Sequence, residues 1–267
     1  MKIILQIGVL IGALTAITVP CRAQSVTSAE GNLWKVWSTV TNRAMESSAV
    51  IAVCNEFEAG SPQNPLALVV TGIKAWHLLK IGNTNEAVVI FKSMLTVNKN
   101  ATAIQLAGVE MAKSWLTRLD HEKVMVALKK LYLRDIEFPA TLEAIKSLKN
   151  NPMPLFTDRW GKPWVYRLGS SINGMDTQRY ILKSSSLGVD SDLEKALNLS
   201  YGEKIKLAPV RLVPGGNAMF EFTTGTGKSA YLQLGGKAGQ ITVVYLGVNL
   251  IIMADENHWR VVLKPRN

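Results

Sequence analysis

"TDRWGKPWVYRL", residues 157–168, crowds two tryptophans, a tyrosine, a glycine and a proline behind an Asp-Arg pair. Gly161 allows a turn that a Cβ would strain, and Pro163 fixes φ where a strand begins. The aromatic rings are large enough to pack on a neighbouring helix. The stretch therefore reads as a structural corner leading into a strand, with an exposed aromatic binding loop as the alternative. Two strands are expected here, "PWVYRL" and "QRYILKS". The "GSSINGMDT" between them has the composition of a hairpin loop.

Working outward, the upstream chain has helical spacing. Leu33, Trp34, Trp37, Val40, Ala44, Met45 and Ala49 recur at three- and four-residue steps over 28–58, before "AGSPQNP" breaks the chain. Two further helical patterns, 66–79 and 84–97, flank "KIGNTN", a turn suited to a helical hairpin. Ile104, Ala107, Met111 and Trp115 form a stripe over 101–118. Asp120-His121-Glu122 is read as interrupting it before Val124, Ala127, Leu128 and Leu131 start a second. A short helix is expected from Thr141. Beyond Tyr201, short apolar runs separated by glycines and polar pairs read as a small antiparallel sheet or barrel. The fold class is thus α+β. Its expected units are a signal at 1–23, a helical region at 24–100, an α+β domain at 101–200 and a small β domain at 201–267.

The N-terminus bounds the compartment. One lysine, an apolar run from Ile3 to Val19 and the small-residue step Cys21-Arg22-Ala23 read as a secretory signal cleaved after Ala23. Left uncleaved, the same run is an anchor for membrane association. The protein is expected in the periplasm or cell envelope. Without Cys21 only Cys54 remains, so no internal disulfide is available and stability must come from apolar burial. The net charge of +10 becomes +8 once Lys2 and Arg22 are set aside. Its lysines and arginines are scattered, which reads as a solvated basic surface and not as a nucleic-acid site.

The chemistry-bearing motifs are few. "TGTGKS" at 224–229 has Phe222 where a P-loop needs glycine and "AYLQL" where it needs a helix, so it reads as a β-turn. His77, His121 and His258 lack metal-ligand spacing, Cys54 has no activating motif, and no nucleophile elbow occurs. No catalytic residue is assigned. A carbohydrate site, with Trp160 and Trp164 stacking on sugar and Asp158 as acid, is the alternative.

Three resemblances add to this. The 66–97 hairpin resembles a tetratricopeptide repeat through Ala75, Leu78, Gly82, Ala87 and Phe91. Over about 120–200 the chain resembles the globular part of the major pseudopilin of type II secretion systems. Phe138, Pro139, Asp158, Trp160, Gly161, Pro163, Trp164 and Tyr166 match one signature of that family. Tyr180, Leu182, Ser186, Gly188 and Asp190 match a second. The last 65 residues resemble the small β domain of the secretion inner-membrane C component and the P-class pilus lipoprotein. The leader departs from the family, since no Glu stands five positions beyond Gly8 or Gly12, and polymerisation is not expected. The pseudopilin resemblance implies a structural Ca²⁺ at Ser186, Asp190 and Asp192. Together the resemblances imply a non-catalytic exported component of a type II secretion or pilus-like assembly that docks onto its subunits. The 66–97 groove, strand edges and exposed tryptophans such as Trp34, Trp37 or Trp259 would provide the contacts.

Overall fold

The computed structural model describes residues 21–42, 45–61, 63–148, 153–169, 179–199, 205–212 and 218–264. Positions 1–20 of the expected signal, 170–177 of the expected hairpin loop and 178 of the expected second strand lie outside them.

Five helices open the described chain: α1 (Cys21–Thr41), α2 (Ser47–Gly60), α3 (Ala67–Lys80), α4 (Thr84–Met94) and α5 (Ala103–Asp135). The run read over 28–58 is thus two helices. Gly82 ends the α3 turn at φ +79°, and the Asn83 side chain accepts from the Glu86 amide to start α4. Thr102 and Gln105 form a reciprocal capping box at the head of α5. That helix runs straight through Asp120-His121-Glu122, contrary to the interruption expected there. Asp120 is buried but takes an ion pair from Arg159, and His121 Nε2 lies 3.0 Å from the Leu182 carbonyl oxygen. Asp120 and His121 stay within the helix because the next layer of the fold supplies partners to their side chains.

The trio marks where α5 passes from one core to another. Its second half, through Val124, Ala127, Leu128 and Leu131, packs on Ile145, Trp164 and Leu182. Ile145 belongs to the 3-10 helix Leu142–Ser147, which replaces the helix expected from Thr141, and Leu182 belongs to a two-stranded ribbon of β1 (Val165–Leu168) and β2 (Tyr180–Lys183). A short α6 (Leu193–Asn198) follows.

The remaining strands form two antiparallel sheets. One has the order β3 (Lys206–Leu212), β4 (Ala218–Thr223), β5 (Ser229–Tyr231). The other runs β6 (Lys237–Ala238), β7 (Ile241–Leu246), β8 (Leu250–Ala254), β9 (Trp259–Leu263). Every residue of β8 is buried, as its unbroken apolar run requires of a strand covered on both faces. Leu250 and Ile252 join Leu33, Ile73, Phe91 and Trp115 in the main helical core, together with Trp259 and Val261. Ile251 and Met253 point the other way, onto Phe222 and Val243. The result is a layer of helices, a four-stranded sheet and a three-stranded sheet, with the middle sheet feeding both cores.

Close approach between layers depends on Gly72. A Cβ there would collide with the indole Nε1 of Trp259, itself fully buried. Gly72→Ala is expected to lower stability by about 2 kcal/mol, because overpacking must move a whole ring. Urea denaturation would read this, and an unchanged midpoint would refute it.

Candidate functional site

The corner at 157–168 is built around one carboxylate. Asp158 Oδ1 accepts from the amides of Trp160 and Lys162, each at 3.0 Å, and Oδ2 accepts from Ser184 Oγ at 2.8 Å. Ser184 Oγ in turn accepts from the amides of Ser186 and Leu187, so the residue ties the loop before β1 to the turn after β2. Gly161 sits at φ +81° in the turn. Burial opposes ionisation of Asp158, but the hydrogen bonds from Ser184 and from the Lys162 and Trp160 amides outweigh it. They hold its carboxyl below the usual range. Removing this hub by Asp158→Ala should cost about 2 kcal/mol through the donors it strands. A loss under about 0.5 kcal/mol by thermal melting would contradict the role.

The other residues singled out from the sequence pack beside it. Trp164 is buried and donates to the Leu155 carbonyl at 2.7 Å, whereas Trp160 is half-buried and donates to Glu110 at 2.7 Å. With Trp164 turned into the core and Asp158 consumed by the corner, the pair of rings needed to sandwich a sugar is not presented. Tyr166 donates to the Pro139 carbonyl at 2.7 Å, Phe138 lies edge-on to Tyr180, and Gly188 takes φ +60° after β2. Pro163 bridges back to Thr157. Of the residues implied as calcium ligands, Asp192 caps α6 by accepting from the Lys195 amide, Ser186 donates its amide to Ser184, and Asp190 is exposed. No group of three or more His, Cys, Asp or Glu that could hold a metal occurs among the described residues. Neither is any helix among them long and apolar enough to cross a membrane.

Groups with catalytic potential are committed elsewhere. Burial, helped by Glu58, pushes the Cys54 thiol up to about 12, which leaves it protonated and inert. His77 lies 3.0 Å from Ser47 Oγ. Trp37 and Trp259 are core residues and not surface anchors, and Trp34 is half-buried. The groove expected at 66–97 is occupied, because most of α3 is buried among α2, α4, α5 and β9.

What the sequence did not reveal is a cleft of about 390 Å³ at one end of the two sheets. Asp190 and Leu199 line it from the region around α6, Lys228 from the "TGTGKS" turn, Ile241 from β7, Glu256 from the β8–β9 connection and Arg260 from β9. That connection is stiff. Asp255 Oδ1 accepts from the amides of Asn257 and His258, both at 2.7 Å, and Oδ2 accepts from Arg260 Nη1 at 2.6 Å. From α5, Trp115 donates to the Asn257 carbonyl, and Arg118 donates through Nη1 to Ser114 and through Nε to the Asp190 carbonyl. One turn of α5 therefore holds both rims. Arg118 is wholly buried; burial pulls its pKa down to about 10, while Glu256, Asp190 and Asp255 oppose the fall, so it stays cationic. Burial likewise raises the Glu256 carboxyl, with Arg118 counteracting.

Within the cleft several charged groups make no direct side-chain bond, while the Asp190 and Glu256 carboxylates face the buried Arg118 cation. Among the described residues the Lys228 ammonium and the Asp190 and Glu256 carboxylates form no ion pair or side-chain hydrogen bond. Arg260 is 5% exposed and paired with Asp255 through Nη1, and among the described residues its buried Nε–H has no hydrogen-bond acceptor. No family model matches the chain, and comparison with curated proteins and with solved structures also returns no match.

Proposed function

We propose that this chain is a non-catalytic, exported component of a type II secretion or pilus-like envelope assembly, and that it works by docking a partner subunit at the cleft beside Arg260. The cleft carries this reading: it gathers residues from four separate stretches of chain, is held rigid from α5, and offers charge without a nucleophile-base pair. The link to secretion rests on the pseudopilin resemblance. It is supported by the sequence of elements from the second half of α5 through the Trp160-Gly161 corner to β1 and β2, which follows the order that resemblance implies.

A photocrosslinking residue at Leu199, 52% exposed on the cleft rim, tests it in cells. Crosslinks to pseudopilins or inner-membrane secretion subunits are expected from Leu199. None are expected from a control at Leu133, which is 70% exposed near the far end of α5. Failure to recover any of those subunits from Leu199 would remove the proposal.

A further inference from the structure

We propose that the outer face of the β1–β2 ribbon rests on an anionic phospholipid surface, with Ile181 entering the headgroup layer and Arg167, Arg179 and Lys183 meeting lipid phosphates. This surface is independent of the docking reading and shares no residue with the cleft.

The register of the ribbon builds the face. Val165 pairs with Lys183 and Arg167 with Ile181, and one step further on the Gly169 amide donates to the Arg179 carbonyl. Side chains alternate across a strand, so these six residues lie on the side away from Tyr166 and Leu182, which turn inward to the core beneath α5. The outward side carries three cations and no carboxylate. Charges that look scattered along the sequence are thereby gathered on one surface.

Arg167 and Arg179 are exposed, Ile181 is 54% exposed, and Val165 and Lys183 are half-buried. Arg167 stands diagonally across the ribbon from both Arg179 and Lys183, a relation that places neighbours about 7–8 Å apart. Among the described residues none of the three cations forms an ion pair or a side-chain hydrogen bond. Like charges at that spacing repel one another, and the exposed Ile181 between them adds little to the core. An external anion relieves the repulsion, and an apolar boundary covers the isoleucine.

The dimensions and composition of the face select the partner. The paired stretches make a patch about 15 Å long and two strands wide, well short of the roughly 800 Å² that a stable protein partner covers. A second copy of the chain would bring the same three cations and is repelled. Aliphatic groups interleaved with cations suit a membrane interface, where Lys and Arg stems stay in apolar surroundings while their charges reach phosphate. The net charge of +10 adds long-range attraction to an anionic bilayer.

The test is co-sedimentation of the purified chain with vesicles of phosphatidylglycerol and phosphatidylcholine in equal parts, and with phosphatidylcholine alone. The mixed vesicles should bind at least about tenfold more tightly. Arg167→Gln combined with Arg179→Gln and Lys183→Gln should weaken that binding about a hundredfold, at about fivefold for each basic residue near the surface. Ile181→Ser alone should also weaken it. A second triple variant, Lys35→Gln with Lys92→Gln and Lys237→Gln, removes the same charge from exposed positions elsewhere and should bind within about threefold of the parent. Both triple variants should melt within about 2 °C of the parent, because the replaced groups lie outside the cores. Equal binding to the two kinds of vesicle, equal losses in the two triple variants, or no sedimentation with the mixed vesicles would overturn the inference. So would binding of soluble poly-glutamate with none to the mixed vesicles, which would give the face to an acidic protein segment.

Discussion

Glu30→Ala should lower the stability of this protein by about 4 kcal/mol, the largest effect expected of any single substitution considered. Glu30 lies on α1 and is 1% exposed, yet its carboxylate accepts four hydrogen bonds, one from Tyr245 of β7 and three from the β7–β8 turn. Oε1 takes Tyr245 Oη at 3.0 Å and the Val248 amide at 2.8 Å. Oε2 takes the Asn249 amide at 2.8 Å and Asn249 Nδ2 at 3.1 Å. Bonds to a charged acceptor are each worth about 1.5–3 kcal/mol, and the stranded amides would sit where water enters poorly. For a chain of this size the loss corresponds to a fall in Tm of about 10 °C. Glu30→Gln should recover part of it, since one oxygen still accepts while the new NH₂ faces donors. A Tm within about 2 °C of the parent for Glu30→Ala would show that the turn is held by other contacts.

Acid is the second sensitivity. His258 is buried against the edges of Trp76 and Trp115, and burial lowers its pKa to about 4. Asp255 opposes that shift, while Arg260, Arg118 and Lys80 add to it. His77 is lowered to about 4 in the same way, by burial first and then by Lys80. A histidine with a lowered native pKa is neutral in the fold while its unfolded counterpart already binds a proton below about 6.5. The unfolded state therefore gains protons first, so stability is full above pH 6.5 and is lost as the pH falls from 6.5 towards 4. For His258 alone the loss approaches about 3 kcal/mol, with His77 adding in the same direction. Glu256 and Glu122, whose carboxyls are raised chiefly by burial, act oppositely and soften the slope near its acid end. Urea midpoints at pH 7.5, 6, 5 and 4.5 should fall steadily, and His258→Asn should flatten the decline. A parent profile that stays level across that interval would refute the account.

How much of this was readable beforehand depended on whether a segment's partners lay nearby in sequence. The α3–α4 hairpin was legible, because Gly82 and Asn83 terminate one helix and cap the next within a few residues. The corner was legible for the same reason: Asp158, Gly161 and Pro163 satisfy mostly local backbone demands. Asp120 and His121 misled, since polar residues on a helical stripe look like a break until Arg159 and Leu182 are brought to them. Trp259 looked like surface because nothing in its own strand announces that Gly72 leaves room for it. The cleft was illegible in principle. Asp190, Lys228 and Glu256 lie in segments with no shared periodicity, and their proximity is a product of layer packing.

The order of assembly follows from the middle sheet. Val248 and Asn249 reach Glu30 across 218 and 219 positions, and Trp259 completes a core begun by Leu33. Contacts of such long separation make the helical layer wait for the last strand, and chains dominated by them fold slowly. A polypeptide leaving the ribosome thus spends its synthesis without a closed main core. That delay leaves the helix face that receives Trp259 and Val261 uncovered until β9 is in place.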